Sequence, residues 1–188
     1  MKRLFLAINI PDNIKNGIEN KINLIESLLP GARYEDRAKW HLTIAFLGEQ
    51  PDEMIVPIIE AMKTTIEKFS APAIFLTNIS YGPSANTPKM IWLNGSKETS
   101  EAISLLKVFL ENELIKNGVR FKLENRAYSA HVNLSKFTDI SKEDLPELGR
   151  DFENLKYFFE AESLDLIESH LSSRGARYEV LQRIEFKR

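Results

Sequence analysis

Three stretches of this 188-residue chain repeat apolar side chains at helical spacing, and short runs of strand character separate them. The first stretch carries Ile14, Ile18, Ile22, Ile25 and Leu29, begins behind Asp12 as a cap and stops at Pro30-Gly31. The second carries Met54, Ile58, Met62, Ile66 and Phe69 behind Pro51, and the third runs over 98–116 with Ile103, Leu106, Leu110 and Leu114 before Asn117-Gly118. Strands are expected over 3–10, 32–37, 40–47, 73–79, 90–93 and 130–137, with 119–123 extended. Two closing strands are expected over 155–169 and 176–186, joined through Leu171-Ser172-Ser173-Arg174-Gly175. The 81–88 segment reads as a loop, and Ser141 with Asp144 as a capping box. Helices falling between groups of strands predict an α+β fold, a sheet layer covered by helices. The spacing divides into two similar halves without a linker, so residues 1–188 are expected to form a single domain.

Composition narrows the chemistry. A hydrophobic fraction of 43% and a charged fraction of 28% are those of an ordinary globular protein. Net charge is -2, so attraction to a polyanion has to come from a local patch. With no cysteine, thiolate catalysis, disulfides and cysteine-ligated metals are excluded. The apolar start Leu4-Phe5-Leu6-Ala7-Ile8 is broken by Pro11-Asp12 and reads as a first strand rather than a signal peptide. No apolar run reaches membrane-spanning length, which leads to the expectation of a cytoplasmic protein without a membrane partner. No heptad or apolar stripe demands an oligomer, so a monomer is expected.

Two of the three histidines open matching strands. In His41-Leu42-Thr43-Ile44-Ala45-Phe46, alternation puts His41, Thr43 and Ala45 on one face and Leu42, Ile44 and Phe46 on the core face. In His131-Val132-Asn133-Leu134-Ser135, it puts His131, Asn133 and Ser135 together and Val132 and Leu134 in the core. A lone histidine at a strand start is usually structural; the repeat of the pattern is what lifts this pair. Two imidazoles on one cleft can divide the work of phosphodiester hydrolysis, one taking a proton from water and one giving a proton to the leaving oxygen. Thr43 and Asn133 can hydrogen-bond the phosphate oxygens. No acidic cluster accompanies either motif, so no metal site and no cofactor are expected. The pattern leaves open which ring is acid and which is base.

These residues resemble the 2H phosphoesterase superfamily, and within it the RNA 2',3'-cyclic phosphodiesterases, also called 2'-5' RNA ligases. The family mark is histidine, any residue, threonine or serine, then a hydrophobic residue, in two copies. His41-Leu42-Thr43-Ile44 matches in full; His131-Val132-Asn133-Leu134 departs at Asn133. The flanks Arg3-Leu4-Phe5-Leu6-Ala7-Ile8, Phe46-Leu47-Gly48-Glu49, Met90-Ile91-Trp92-Leu93 and Gly175-Ala176-Arg177-Tyr178-Glu179-Val180 extend the likeness over the whole chain. The resemblance implies a bilobed LigT-like fold, with two antiparallel sheets related by a pseudo-twofold, helices outside and a central cleft. It implies metal-independent hydrolysis of RNA 2',3'-cyclic phosphate ends to 2'-phosphomonoesters, with His41 as acid and His131 as base. The partner implied is RNA, tRNA fragments included. A 2'-5' ligase, a phosphodiesterase for small cyclic nucleotides and an RNA-binding protein of weakened catalysis are the alternatives, the last kept open by Asn133.

The second motif has basic neighbours, Arg120, Lys122, Arg126 and Lys136, against Glu124. Arg126 and Lys136 match basic positions of the family and are expected to contact phosphate, although strict alternation turns Lys136 away from His131. Tyr128 is expected to touch substrate as a stacking surface, with Tyr34 and Trp92 as further stacking candidates. Arg174, Arg177, Arg183, Lys187 and Arg188 add charge near the C-terminus, and His170 reads as a loop or surface residue.

Overall fold

The structure, a computed structural model, describes residues 1–84, 86–138, 140–172 and 175–187. Ala85 of the expected loop, Ser173 and Arg174 of the joining segment, and the basic Arg188 lie outside the described residues. The elements run β1 (Lys2–Asn9), α1 (Asp12–Leu28), β2 (Arg33–Tyr34), β3 (His41–Gln50), α2 (Ile55–Lys68), β4 (Ala73–Gly82), β5 (Met90–Gly95), α3 (Lys97–Lys116), β6 (His131–Lys136), β7 (Tyr157–Glu160), β8 (Ser163–Ser172) and β9 (Gly175–Glu185).

All three expected helices form, each around the apolar stripe that predicted it. Ile18, Ile22 and Ile25 of α1 are buried, as are Ile58, Met62 and Ile66 of α2 and Ile103, Leu106, Leu110 and Leu114 of α3. Their ends differ in detail. Pro11 occupies the N-cap of α1 with no side-chain cap bond, so Asp12 stands inside the first turn, 3.7 Å from Arg37. Ser96 caps α3 by accepting from the Thr99 amide at 3.1 Å. Ser141 does not cap: its hydroxyl donates to the Asp144 carboxylate at 2.8 Å, beside a single 3-10 turn.

The strands pair antiparallel in the order β7-β4-β5-β6-β3-β1-β8-β9, with β2 on β6. The two expected sheets are present as two halves, and they meet between β6 and β3 at the pair Leu42↔Val132. The stretch expected as one strand over 155–169 divides into β7 and β8, which lie at opposite ends of this order. The Ala161 amide bonds Pro72 at 3.0 Å and the Glu162 carbonyl accepts from Phe186, so the chain leaves one edge and joins the other there. Residues 119–123 belong to no strand, and His170 sits within β8 rather than in a loop.

The helices cover one face of this curled sheet. On it Leu4, Leu6, Ile8, Leu42, Ile44, Ile91, Leu93, Val132 and Leu134 join the helix stripes in one core shared by both halves. Burying each such side chain is worth about 1.5–3 kcal/mol, and this sets which way every strand faces. The other face is open, and the candidate site lies there.

Candidate active site

The site is built on the junction of the halves. Leu42 and Val132 are fully buried partners, so the residues flanking them project to the open face. Continuing the antiparallel register by one residue sets His41 opposite Asn133 and Thr43 opposite His131. An approximate twofold therefore runs between Leu42 and Val132, exchanging the two motifs. Sheet geometry puts such diagonal neighbours about 7–8 Å apart, enough for a phosphate to sit between the rings.

Both imidazoles are oriented in the same way. His41 donates its Nδ1 proton to the Lys39 carbonyl at 2.6 Å, and His131 donates its own to the Ser129 carbonyl at 2.7 Å. A carbonyl only accepts, so each Nδ1 carries a hydrogen and each Nε2 is left to hold or take up the proton that chemistry needs. The Nε2 of His41 lies 3.0 Å from the Thr43 hydroxyl. Ring packing completes the two environments. His41 is held against Phe5 at 5.0 Å and the edge of Tyr178 at 5.5 Å, while His131 stacks on Trp92 at 3.9 Å and 25°. Burial pushes both imidazoles below their usual range. The Lys39 carbonyl and Glu35 oppose this at His41; the Ser129 carbonyl opposes it at His131, where Arg126 adds to the lowering.

Three register slips, two in β3 and one in β6, rewrite the alternation expected from sequence. In β3 the register against β1 slips at Ile44 and again at Leu47, which carries Ala45 into the core and turns Phe46 out to 59% exposure. Phe46 thus faces Phe5 across the strands at 6.2 Å instead of filling the core. In β6 the register against β5 slips at Leu134, and Ser135, paired with the buried Ile91, becomes fully buried. The same slip pairs Lys136 with Met90, one residue from Ile91, and so returns Lys136 to the face of His131. Its ammonium lies 3.5 Å from Glu35, a carboxylate also 3.9 Å from Lys39.

The other expected contacts divide. Arg126 is exposed at the rim, 3.4 Å from Glu124. It stands at the mouth of an open groove of about 560 Å³ that runs from Phe46 and Gly48 to Lys122 and Leu123. Tyr128 packs against the core and its hydroxyl donates to the Thr43 carbonyl at 2.8 Å, tying the 119–130 segment to β3. Tyr34 likewise packs on the core, with its hydroxyl on the Leu29 carbonyl at 3.0 Å. Asn133 has a buried Oδ1 without a partner, as does the Trp92 indole nitrogen opposite it. Phe5, Tyr178 and Glu35 were not singled out from sequence. Phe5 was hidden in a continuous apolar run, and Tyr178 was marked only by the alternation of 176–186 and by the family-like flank around it. Among the described residues, no three His, Asp or Glu side chains gather as a metal site, and no helix is long and apolar enough to cross a membrane.

Comparison with known proteins bears on this geometry. The family model for LigT-like phosphoesterases matches residues 8–92, which hold the first histidine motif but not the second. An RNA 2',3'-cyclic phosphodiesterase of Methanocaldococcus jannaschii is 29% identical over 183 residues, covering 96% of this chain and 98% of the relative. A crystal structure from Thermus thermophilus superposes with a TM-score of 0.78 at 19% identity, covering 98% and 97% of the two chains. E. coli LigT complexed with 3'-AMP superposes at 0.70 with 22% identity, covering 100% and 99%. The bilobed α+β arrangement expected from sequence is the fold of these proteins. The chain is thus similar to LigT-like phosphoesterases over residues 8–92 and to RNA 2',3'-cyclic phosphodiesterases over nearly its whole length, and it shares the fold of LigT.

Proposed function

We propose that this protein hydrolyses the 2',3'-cyclic phosphate end of RNA to a 2'-phosphomonoester, using His41 and His131 as general acid and base without a metal ion. The observation that carries the reading is the matched pair of imidazoles on the open face, each locked by a backbone carbonyl at Nδ1 with Nε2 left for proton transfer. In the reaction the oxygen of a water attacks phosphorus and gives its proton to the Nε2 of His131. The bond from phosphorus to O3' breaks, and O3' takes the proton from the Nε2 of His41. This assignment of roles rests on the family resemblance. Thr43 donates its hydroxyl to a phosphate oxygen, and Asn133 donates through its amide nitrogen, since Oδ1 is the buried end. Lys136 and Arg126 supply positive charge at the two rims. The Methanocaldococcus relative bears the name of this activity, and E. coli LigT binds 3'-AMP. The same attack by a 5'-hydroxyl in place of water would produce a 2'-5' linkage. Action on RNA ends, tRNA fragments among them, agrees with a cytoplasmic monomer.

The test is incubation of an oligonucleotide ending in a 2',3'-cyclic phosphate with enzyme and excess chelator. A 2'-phosphate product is expected at an undiminished rate. An unaltered cyclic end would refute the activity, and loss of turnover with chelator would refute the metal-free route.

A further inference from the structure

The open face of the β7-β4-β5-β6 half continues well past His131. The register carries it from His131 to Asn94 on β5 and from Asn94 to Asn78 on β4. The Asn94 amide is already engaged there, donating to the Asn78 carbonyl at 3.2 Å and the Ser80 hydroxyl at 2.9 Å. Farther along the same face stand Phe75 of β4 and Phe158 of β7, directly paired across the strands. Their neighbours Ile74 and Phe159 are buried in the core, which fixes Phe75 and Phe158 on the open side. The two rings lie 4.8 Å apart at 34°, and they remain 44% and 50% exposed. Neither takes part in the site described above. An exposed aromatic pair on a sheet face exacts a solvation cost that packing does not explain.

We infer that Phe75 and Phe158 form a stacking platform for a base upstream of the cyclic phosphate, so that the substrate is a single-stranded oligonucleotide rather than a mononucleotide. The inference rests on the cyclic phosphodiesterase reading and adds the substrate's length to it. Sheet faces with exposed aromatic residues take unpaired bases by stacking, because every base has a π-face. Phe75 and Phe158 lie two and three strand spacings from β6 and are set along the strands from Asn78, roughly 13–17 Å from His131, within the span of a short extended strand. The Trp92 ring, stacked on His131 and half-buried, stands at the start of this path. Glu160 shares the face two residues beyond Phe158 at the sheet edge, and its carboxylate repels phosphate, so the track ends there. The platform itself carries no cation. Its contribution should therefore resist salt, unlike that of Arg126.

The experiment compares a mononucleoside 2',3'-cyclic phosphate with a four-nucleotide RNA bearing the same end, for wild type, Phe75→Ala, Phe158→Ala and Phe158→Tyr. Wild type should favour the longer substrate in kcat/KM by about tenfold or more, the usual scale of base–aromatic stacking. Both alanine variants should lose that preference through a higher KM and keep the wild-type rate on the mononucleotide, with Phe158→Tyr retaining it. Equal effects on both substrates, or none on either, overturn the platform. So does light scattering showing a wild-type dimer that Phe75→Ala dissociates, because a second copy then covers the pair. Should wild type turn over neither substrate, the phosphodiesterase reading fails. The platform is then judged by fluorescence anisotropy of a labelled four-nucleotide RNA ending in a 3'-phosphate: weaker binding by the alanine variants upholds it, and equal binding overturns it.

Discussion

The two histidines differ in what surrounds them more than in how they are held. Each is fixed by the carbonyl two residues before it, which leaves burial to set their protonation. Burial lowers both, so in the free enzyme both rings titrate below the ordinary 6.5. The base must be neutral, and activity rises as pH climbs through its lowered value. The acid must be protonated, and activity falls as pH climbs through the other. The kcat/KM profile should thus be a bell with its maximum on the acid side of pH 6.5, and a maximum at pH 8 would contradict this account of the site. Tyr128 separates structure from chemistry at the same scale. Removing its hydroxyl in Tyr128→Phe deletes one donor to the Thr43 carbonyl and should cost about 1 kcal/mol of stability, with kcat/KM changed less than about threefold. Denaturant unfolding and initial rates check the pair. That His41, Thr43, His131 and Asn133 share the open face was legible because they repeat one pattern in two strands. The tie from Tyr128 to β3 was not, since its partner lies 85 residues away in sequence.

Among the elements, the helices could be read from their stripes and most strands from their apolar runs. The bulges could not. A bulge spends one residue without changing the composition around it, and its effect is to exchange the faces of everything that follows. Phe46, Ala45, Ser135 and Lys136 were all misassigned for this reason, and the exchange is what equips the site: it turns Lys136 onto the face of His131 and lifts Phe46 out beside the groove. The β4–β5 pair shows how tightly one element can position another. A Cβ on Gly82 would come within 2.5 Å of the Trp92 ring, which stacks on His131. Gly82→Ala should push Trp92 off that stack, at a stability cost of about 1–3 kcal/mol from overpacking and with a fall in kcat of about tenfold. An unchanged kcat in a folded variant would show that the stack does not hold the ring for catalysis.

The whole molecule explains why one chain carries two copies of a half-site. Its halves touch in the sheet at Leu42↔Val132, and the four motif residues surround that pair. The halves are also bound by a common core, and Tyr157 of β7 donates to the Gly17 carbonyl of α1 at 2.8 Å. We therefore expect the 188 residues to fold as a unit, the domain organisation read from sequence. The continuity of the two sheets was beyond sequence reasoning, because a single paired position has no compositional mark. Under the proposed mechanism neither half acts alone, because each would supply one proton-transfer group and one phosphate donor. The direct test is turnover of an RNA 2',3'-cyclic phosphate by His41→Ala and His131→Ala, each confirmed as folded. Each substitution should lower kcat by about 10²–10⁴-fold, the range for losing one general acid or base. Wild-type turnover in either variant would contradict the account.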